Sequence, residues 1–271
     1  MRSIVMIALL LSCGVIQSYA QVGEGTEVNK KEAEQRWEQM IEAKGGRDRL
    51  YGITNMVVSS RSKVRLSLLK SYEHKVDTLY VFPDKYWRLD DNRPSVFGLQ
   101  MDMYNYSTGM KYHEVLGSPD NILKLVPFEL SEQHSIGSHL QGLVDFLMET
   151  KWWRPVVRGF TPGAIGLNNA DTIHTLFDGQ PFDVIVDRRT HLPVQTVAYS
   201  HDSKNQVSRK LISKLSDYVV VDGLRMPTRF SFGDEEGWES LSYKFNVAHD
   251  PSIFLSPPSF DLGPTAWEAK K

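Results

Sequence analysis

The feature of this sequence that most constrains its fold is a two-residue alternation of apolar and polar side chains. Val64 lies between Lys63 and Arg65, and roughly five such runs fit between residues 53 and 112. The runs are separated by short turn-like segments such as Pro83-Asp84. Because short connections join antiparallel neighbours, this half of the chain predicts an antiparallel sheet.

The same alternation returns in the second half of the chain. It runs through residues 182–186 and 194–198, and again through residues 228–232 and 241–247. Asp222-Gly223 is typical of a two-residue hairpin turn. Aromatic residues make up 11% of the chain, which favours pleated, half-buried strands. We therefore expect one continuous antiparallel sheet with helices packed on its inner face.

Two segments have helical spacing instead. The first is predicted over Glu27–Lys44 and is ended by Gly45-Gly46. The second is predicted over Ser135–Lys151. The apolar residues that form their stripes are Ala33, Trp37, Met40 and Ile41 in the first helix, and Ile136, Leu140, Leu143, Val144 and Leu147 in the second.

The first twenty residues predict export from the cell. Arg2 precedes the apolar run Ile4–Leu11, and Ser18-Tyr19-Ala20 has the small residues of a cleavage site, so residues 1–20 form a predicted signal peptide. Leu10-Leu11-Ser12-Cys13 also resembles a lipobox, which leaves a lipid anchor at Cys13 as the alternative. Either reading indicates the periplasm. No later apolar stretch approaches the roughly 20 residues of a membrane-spanning helix.

Beyond the signal peptide we expect three regions. Residues 21–26 are predicted to be a flexible leader, residues 27–255 a single domain, and residues 256–271 an extended tail. The tail composition, rich in Pro and Ser from Pro251, favours an extended chain from that residue onward.

Charge and cysteine content exclude several classes of function. Loss of Arg2 leaves 30 basic residues against 33 acidic ones, which gives no reason to expect nucleic acid as a partner. The chain has one cysteine, Cys13, so the mature domain would have no disulfide and must be stabilised by its core.

No motif for catalysis or metal binding is evident. The eight His residues are scattered, and His134 and His139 lack the spacing of one helical face. Gly-x-Ser-x-Gly and the phosphate-binding glycine loop are both absent from the sequence. We therefore predict no cofactor, no metal and no enzymatic activity. A hydrolase whose site is assembled from scattered residues stays open as a minor alternative.

Several segments together resemble one family. Ala43-Lys44-Gly45-Gly46 looks like its opening helix end, and the segment 81–88 like its strand with Pro-Asp-Lys and an aromatic-Arg pair. The segments 186–194 and 217–227 are similar to its two later hairpins, and 245–257 to its closing strand. In this order they resemble the periplasmic lipoprotein-carrier-like superfamily, which includes the outer-membrane lipoprotein-sorting proteins.

The resemblance implies both a fold and a function. The implied fold is α+β and mainly antiparallel β, with a curved sheet forming an unclosed barrel and helices across its concave face. The implied function is to hold acyl chains or lipidated proteins in an apolar hollow without catalysis. The matched motifs are turns, so the resemblance assigns no ligand-contacting residue.

The residues themselves support such a site, because a water-excluding apolar face stabilises an acyl chain by about 0.8 kcal/mol per buried methylene. Met residues adapt well to variable ligand shapes. The predicted ligand-binding residues are Val64, Leu66, Leu68, Leu79, Val81, Trp87, Met101, Met103, Leu140, Leu143 and Leu147. An interaction or lipid-sensing module, with an envelope protein as partner and an exposed patch around Trp152 and Trp153, is the alternative.

Overall fold

The computed structural model describes residues 27–65, 70–92, 98–116, 125–127, 147–153, 155–164, 166–177, 179–202, 207–233 and 238–256. These contain two α-helices, thirteen strands and a 3-10 helix. In chain order the elements are α1 (Glu27–Lys44), α2 (Arg47–Tyr51), β1 (Asn55–Arg65), β2 (Ser71–Val81), β3 (Lys85–Asn92), β4 (Gly98–Asn105), β5 (Met110–Leu116), β6 (Val126–Pro127), β7 (Val156–Thr161), β8 (Ala170–Phe177), β9 (Gln180–Asp187), β10 (Pro193–Asp202), β11 (Val207–Val221), β12 (Leu224–Phe232), β13 (Glu239–Phe245) and η1 (Pro251–Phe254).

The strands form one antiparallel sheet that is not closed. Its order is β6-β5-β4-β3-β2-β1-β13-β12-β11-β10-β9-β8-β7. Strands β1 to β6 are sequential neighbours, as are β7 to β13, and the two runs are joined where β1 pairs with β13. Within the described ranges, no pairing joins β6 to β7 at the two ends of this order. The predicted mainly antiparallel, unclosed sheet is therefore confirmed.

Helix α1 has the predicted bounds. Ala33, Met40 and Ile41 are at most 1% exposed, as the apolar stripe requires. The helix ends because Gly45 adopts a φ of 126°, a conformation that side chains with a Cβ rarely adopt. A Cβ at Gly45 would also lie only 2.4 Å from the carbonyl oxygen of Gly223. Both the backbone conformation and the lack of space therefore require glycine at this position.

The Asp222-Gly223 turn is confirmed, with φ of 51° and 81° at its two residues, as in a type I′ hairpin. Strand β11 is continuous from Val207 to Val221 and runs through Asp217. That residue takes a φ of 56° inside the strand, and pairing with β12 resumes at Tyr218.

The chain divides into two compact units. One comprises Met1–Ala43 and Pro155–Ile212, which hold most of α1, β7–β10 and the start of β11. The other comprises Lys44–Arg154 and Ser213–Lys271, which hold α2, β1–β6, β12, β13 and η1. The single domain expected over residues 27–255 stays a prediction.

The segment after strand β13 is helical where the sequence predicted an extended chain. The segment from Pro251 was expected to be extended, but residues 251–254 form η1, capped by Asp250, whose side chain accepts a hydrogen bond from the Ser252 amide. Ile253 and Phe254 are buried, which explains why this segment is ordered.

Of the second predicted helix, residues 135–146 lie outside the described residues. Among the described helices, none is long and apolar enough to cross a membrane.

Candidate functional site

The second unit presents two different faces of strands β1–β5, which the register assigns residue by residue. Directly paired residues share a face, and so do residues two apart on one strand. The pairing therefore places one residue from each of these five strands in a single row on one face of the sheet, and we call this face the sealed face. The residues of the row are Val57, Leu79, Trp87, Met103 and Tyr112.

The sealed face is covered by the end of the described chain. Its row, with Leu89 and Met101, forms one buried cluster that includes Ile253 and Phe254 of η1. The Tyr112 hydroxyl donates to the Ile253 carbonyl oxygen at 3.1 Å, which holds η1 in place. This apolar cluster is therefore filled by the protein's own side chains.

The opposite face begins with an aromatic row. Met56 pairs with Tyr80, Tyr80 with Tyr86, and Tyr86 with Tyr104. The same face continues along β1 and β2 through Val58, Val64, Tyr72, Val76 and Thr78. We call it the tyrosine face.

The two faces differ in how far they are buried along the same strands. On the tyrosine face Val64, Tyr72 and Val76 are half-buried. On the other face the same stretch carries Arg61 and Glu73, whose side chains are 48% and 56% exposed. Charged residues mark the solvated side of a strand. The tyrosine face is therefore the partly covered side of β1 and β2.

The tyrosine rings lie close to one another on this face, stacked for Tyr86–Tyr104 and Tyr104–Tyr106 and tilted by 42° for Tyr80–Tyr86. Ring centroids are 6.2 Å apart for Tyr80 and Tyr86, 5.1 Å for Tyr86 and Tyr104, and 6.4 Å for Tyr104 and Tyr106. Burial raises the pKa of Tyr80 to about 12. Burial and then the neighbouring phenols of Tyr104 and Tyr106 raise the pKa of Tyr86 further. The phenols of Tyr80 and Tyr86 therefore stay protonated at physiological pH; the Tyr86 ring is buried, whereas Tyr80 and Tyr104 are half-buried.

A charged row adjoins the tyrosines on the same face. Arg88 pairs directly with Asp102, and Asp102 with His113. Arg88 Nη2 also donates to Asp90 Oδ2 at 2.7 Å, and His74 Nε2 lies 2.6 Å from the other oxygen of that carboxylate. His113 Nδ1 contacts Asp102 Oδ1. Half-buried ion pairs thus lie directly beside an aromatic surface.

The predicted ligand-binding residues do not form one lining. Val64 lies on the tyrosine face, whereas Leu79 and Trp87 lie in the sealed cluster. Met101 and Met103 are members of that cluster, and Val81 packs against it. Leu147 is fully buried. Leu66, Leu68, Leu140 and Leu143 lie outside the described residues. The role of the whole set in ligand binding stays a prediction.

The sequence did contain a signal for the tyrosine face. The exposed charges at Lys63, Arg65 and Lys75 alternate with Val64 and Val76, which identifies the partly covered side of β1 and β2. In strands β3 and β4 the alternation separates Trp87 and Leu89 from Arg88, but it does not indicate which set lies on the same face as Val64. Only the register shows that Trp87 lies opposite to Val64 across the sheet.

Trp152 and Trp153, at the proposed partner patch, are half-buried and packed inside the second unit. Both rings lie 6.4 Å from the Phe82 ring, and Trp152 Nε1 donates to the Ile53 carbonyl oxygen at 2.9 Å. These contacts hold the rings in place within the unit.

The first unit contains a shallow charged depression beside α1. Asp171 accepts hydrogen bonds from Arg188 Nε at 2.8 Å and from the Gly163 amide at 2.9 Å. Burial acts to raise the pKa of Asp171, but these hydrogen bonds outweigh it and hold the pKa below its ordinary value. These paired charges serve the local structure. Within the described ranges, no three His, Cys, Asp or Glu side chains are placed to hold a metal ion.

Comparison with known proteins yields structural matches alone. No protein-family model matches the chain, and no curated protein matches it. A LolA superfamily protein from Nitrosomonas europaea matches at 12% identity, covering 82% of this chain and 96% of that one, with a TM-score of 0.48. A DUF1329 family protein from Desulfovibrio piger matches at 11% identity, with coverage of 82% and 96% and a TM-score of 0.48.

A third match is a domain assigned to the outer membrane lipoprotein-sorting proteins, from Vibrio parahaemolyticus. It is 13% identical, covers 82% of this chain and 97% of its own, and has a TM-score of 0.45. The superfamily that the sequence motifs resemble is thus represented among the matching structures. At these identities and TM-scores, nothing about the ligand or activity of this chain follows from them.

Proposed function

We propose that this protein is a non-catalytic component of the cell envelope that binds or carries a lipid or a lipidated protein through its tyrosine face. The observation that carries the proposal is the half-burial of Val64, Tyr72, Val76 and Tyr80, on strands whose other face bears exposed charges. This long, partly covered strip of apolar and aromatic side chains, interspersed with Ser60, Ser62 and His74, suits an extended acyl chain.

The energetics favour a chain-like ligand over a compact one. Each methylene removed from water contributes about 0.8 kcal/mol, so an acyl chain laid along the strip accumulates affinity with length. The sealed face is a poorer candidate, because Ile253 and Phe254 already occupy it and would have to be displaced.

The envelope location in this proposal is supported by the N-terminal sequence. Residues 1–20 have the order of a secretory signal, and a lipid anchor at Cys13 is the alternative route to the same compartment.

The direct test is native mass spectrometry of the mature protein purified gently from its own envelope, followed by lipid extraction. Phospholipid or acylated protein that is released on denaturation supports the proposal and identifies the cargo class. An apo mass, together with no binding of a fluorescent fatty acid at micromolar concentration, contradicts it. A stoichiometric protein partner without lipid would favour the interaction module, and cleaved lipid products would favour a hydrolase.

A matched pair of variants tests the face. Val64→Glu places a charge on the tyrosine face, whereas Lys63→Glu, its neighbour on β1, changes a charge on the other face. We expect Val64→Glu to weaken binding of the fluorescent fatty acid by about tenfold or more, because a carboxylate would be desolvated by the chain. Lys63→Glu should bind within about twofold of the natural protein, since an exposed charge contributes little. Equal affinities would place the ligand elsewhere.

A further inference from the structure

The charged residues of the tyrosine face balance one another. The cations are Arg88 and Lys111, since Lys111 pairs with Tyr104 on this face. The carboxylates are Asp90 and Asp102, and the remaining titratable neighbours are His74 and His113. Among the described side chains of β1–β5, the Arg, Lys and Asp residues of this face therefore contribute two positive and two negative charges.

The opposite charges lie side by side rather than in separate patches. Arg88 and Asp102 are directly opposed on β3 and β4, and their side chains are 30% and 18% exposed. A purely anionic headgroup placed there would meet two carboxylates, and a purely cationic one would meet two cations. A dipolar headgroup can satisfy both signs at once, and the adjacent aromatic rings favour an ammonium group.

We propose that this charged row recognises a zwitterionic headgroup, an amine next to a phosphate, on the acyl ligand. The proposal rests on the proposed function, because it assigns the headgroup of the lipid whose chain follows the tyrosine face. Arg88 donates to the phosphate oxygens, since a guanidinium binds such oxygens through two parallel hydrogen bonds. Asp102 accepts from the ammonium group, with Tyr86 and Tyr104 beside it.

The test compares three single-chain lipids that share one acyl chain, each below its micelle concentration. They are a lysophosphatidylethanolamine, a lysophosphatidylglycerol and the free fatty acid, titrated calorimetrically into the full mature protein at neutral pH. We expect the ethanolamine lipid to bind about tenfold more tightly than either of the others, the effect of one well-placed charge-assisted contact.

Two variants assign the preference to residues. Arg88→Gln and Asp102→Asn should each weaken the binding of the ethanolamine lipid by about tenfold, to the affinity of the glycerol lipid. Asp102→Asn keeps the size of the side chain, so it serves as the variant least disturbing to the fold. Arg61→Gln is the matched control, because Arg61 forms its ion pair with Glu73 on the opposite face and should leave the preference intact.

The outcomes separate this inference from the proposed function. Equal binding of all three lipids would overturn the headgroup assignment while leaving acyl binding in place. A preference that persists in both Arg88→Gln and Asp102→Asn would show that other residues read the headgroup. Absence of binding by all three lipids would overturn both proposals together.

Discussion

Lys44 and Glu149 form the least exposed ion pair described in this protein. Lys44 Nζ lies 2.9 Å from Glu149 Oε2, and the side chains are 1% and 0% exposed. Transfer of two charges into the interior costs several kcal/mol per ion, which close pairing offsets only in part. Removal of one partner alone therefore leaves a buried charge and destabilises the folded state.

We predict that Glu149→Leu alone destabilises the fold by about 3–5 kcal/mol, because it leaves the Lys44 ammonium buried without its partner. The double variant Lys44→Met/Glu149→Leu should recover most of that loss, since neither charge then remains. Urea unfolding of the two single variants and the double variant measures the coupling. Simple additivity of the single effects would contradict the interpretation.

Titration of the buried tyrosines makes the free energy of unfolding depend on pH in the alkaline range. The pKa of Tyr80 is raised by burial to about 12 in the folded protein, against about 10 for an exposed phenol. A raised folded pKa contributes stability that is complete below pH 10 and is lost as pH rises towards 12, because the unfolded chain releases the proton first.

We therefore predict that the free energy of unfolding falls between pH 10 and pH 12, and that Tyr80→Phe makes this fall shallower. Urea unfolding of both proteins across this range, with phenolate absorbance followed in parallel, measures the difference. Identical slopes for the two proteins would mean that Tyr80 titrates as an exposed phenol.

At the scale of elements, η1 is the segment whose role is most sharply tested. Phe254 is 3% exposed within the sealed cluster, whereas the next residue, Leu255, is 67% exposed. We predict that Phe254→Ala costs about 3–5 kcal/mol in unfolding free energy through lost burial and a residual cavity. Leu255→Ala, the neighbouring control, should change it by less than about 0.5 kcal/mol. Similar effects for both would show that η1 does not seal this face.

Prediction from the sequence was most accurate for individual helices and hairpin turns. Helix α1 has its predicted bounds because its apolar stripe and the Gly45-Gly46 end are local features. The Asp222-Gly223 hairpin was predictable for the same reason, since these two residue types tolerate positive φ. The order in η1 was not predictable, because it depends on burial of Ile253 against strands distant in the chain.

For the whole molecule, the proposed function links ligand binding to stability. A ligand that binds the native state alone stabilises it by about 2.7 kcal/mol at a free concentration one hundred times its dissociation constant. We predict that saturating lysolipid raises the unfolding midpoint of the natural protein measurably. The same concentration should raise it far less in Val64→Glu, which isolates binding at the tyrosine face. Equal increases in the two proteins would indicate non-specific association.

The features that could be predicted from the sequence alone are local or compositional. The antiparallel strands follow from alternation and short turns, and the lack of an intramolecular disulfide in this sequence follows from its single cysteine at position 13. Side-chain facing in β3 and β4 was decided by the tertiary structure. Alternation separates the apolar from the charged side chains within each of these strands, but a shift of one residue in register would move every side chain to the other face. For that reason only the pairing could separate Val64 on the tyrosine face from Leu79, Trp87 and Met103 in the sealed cluster.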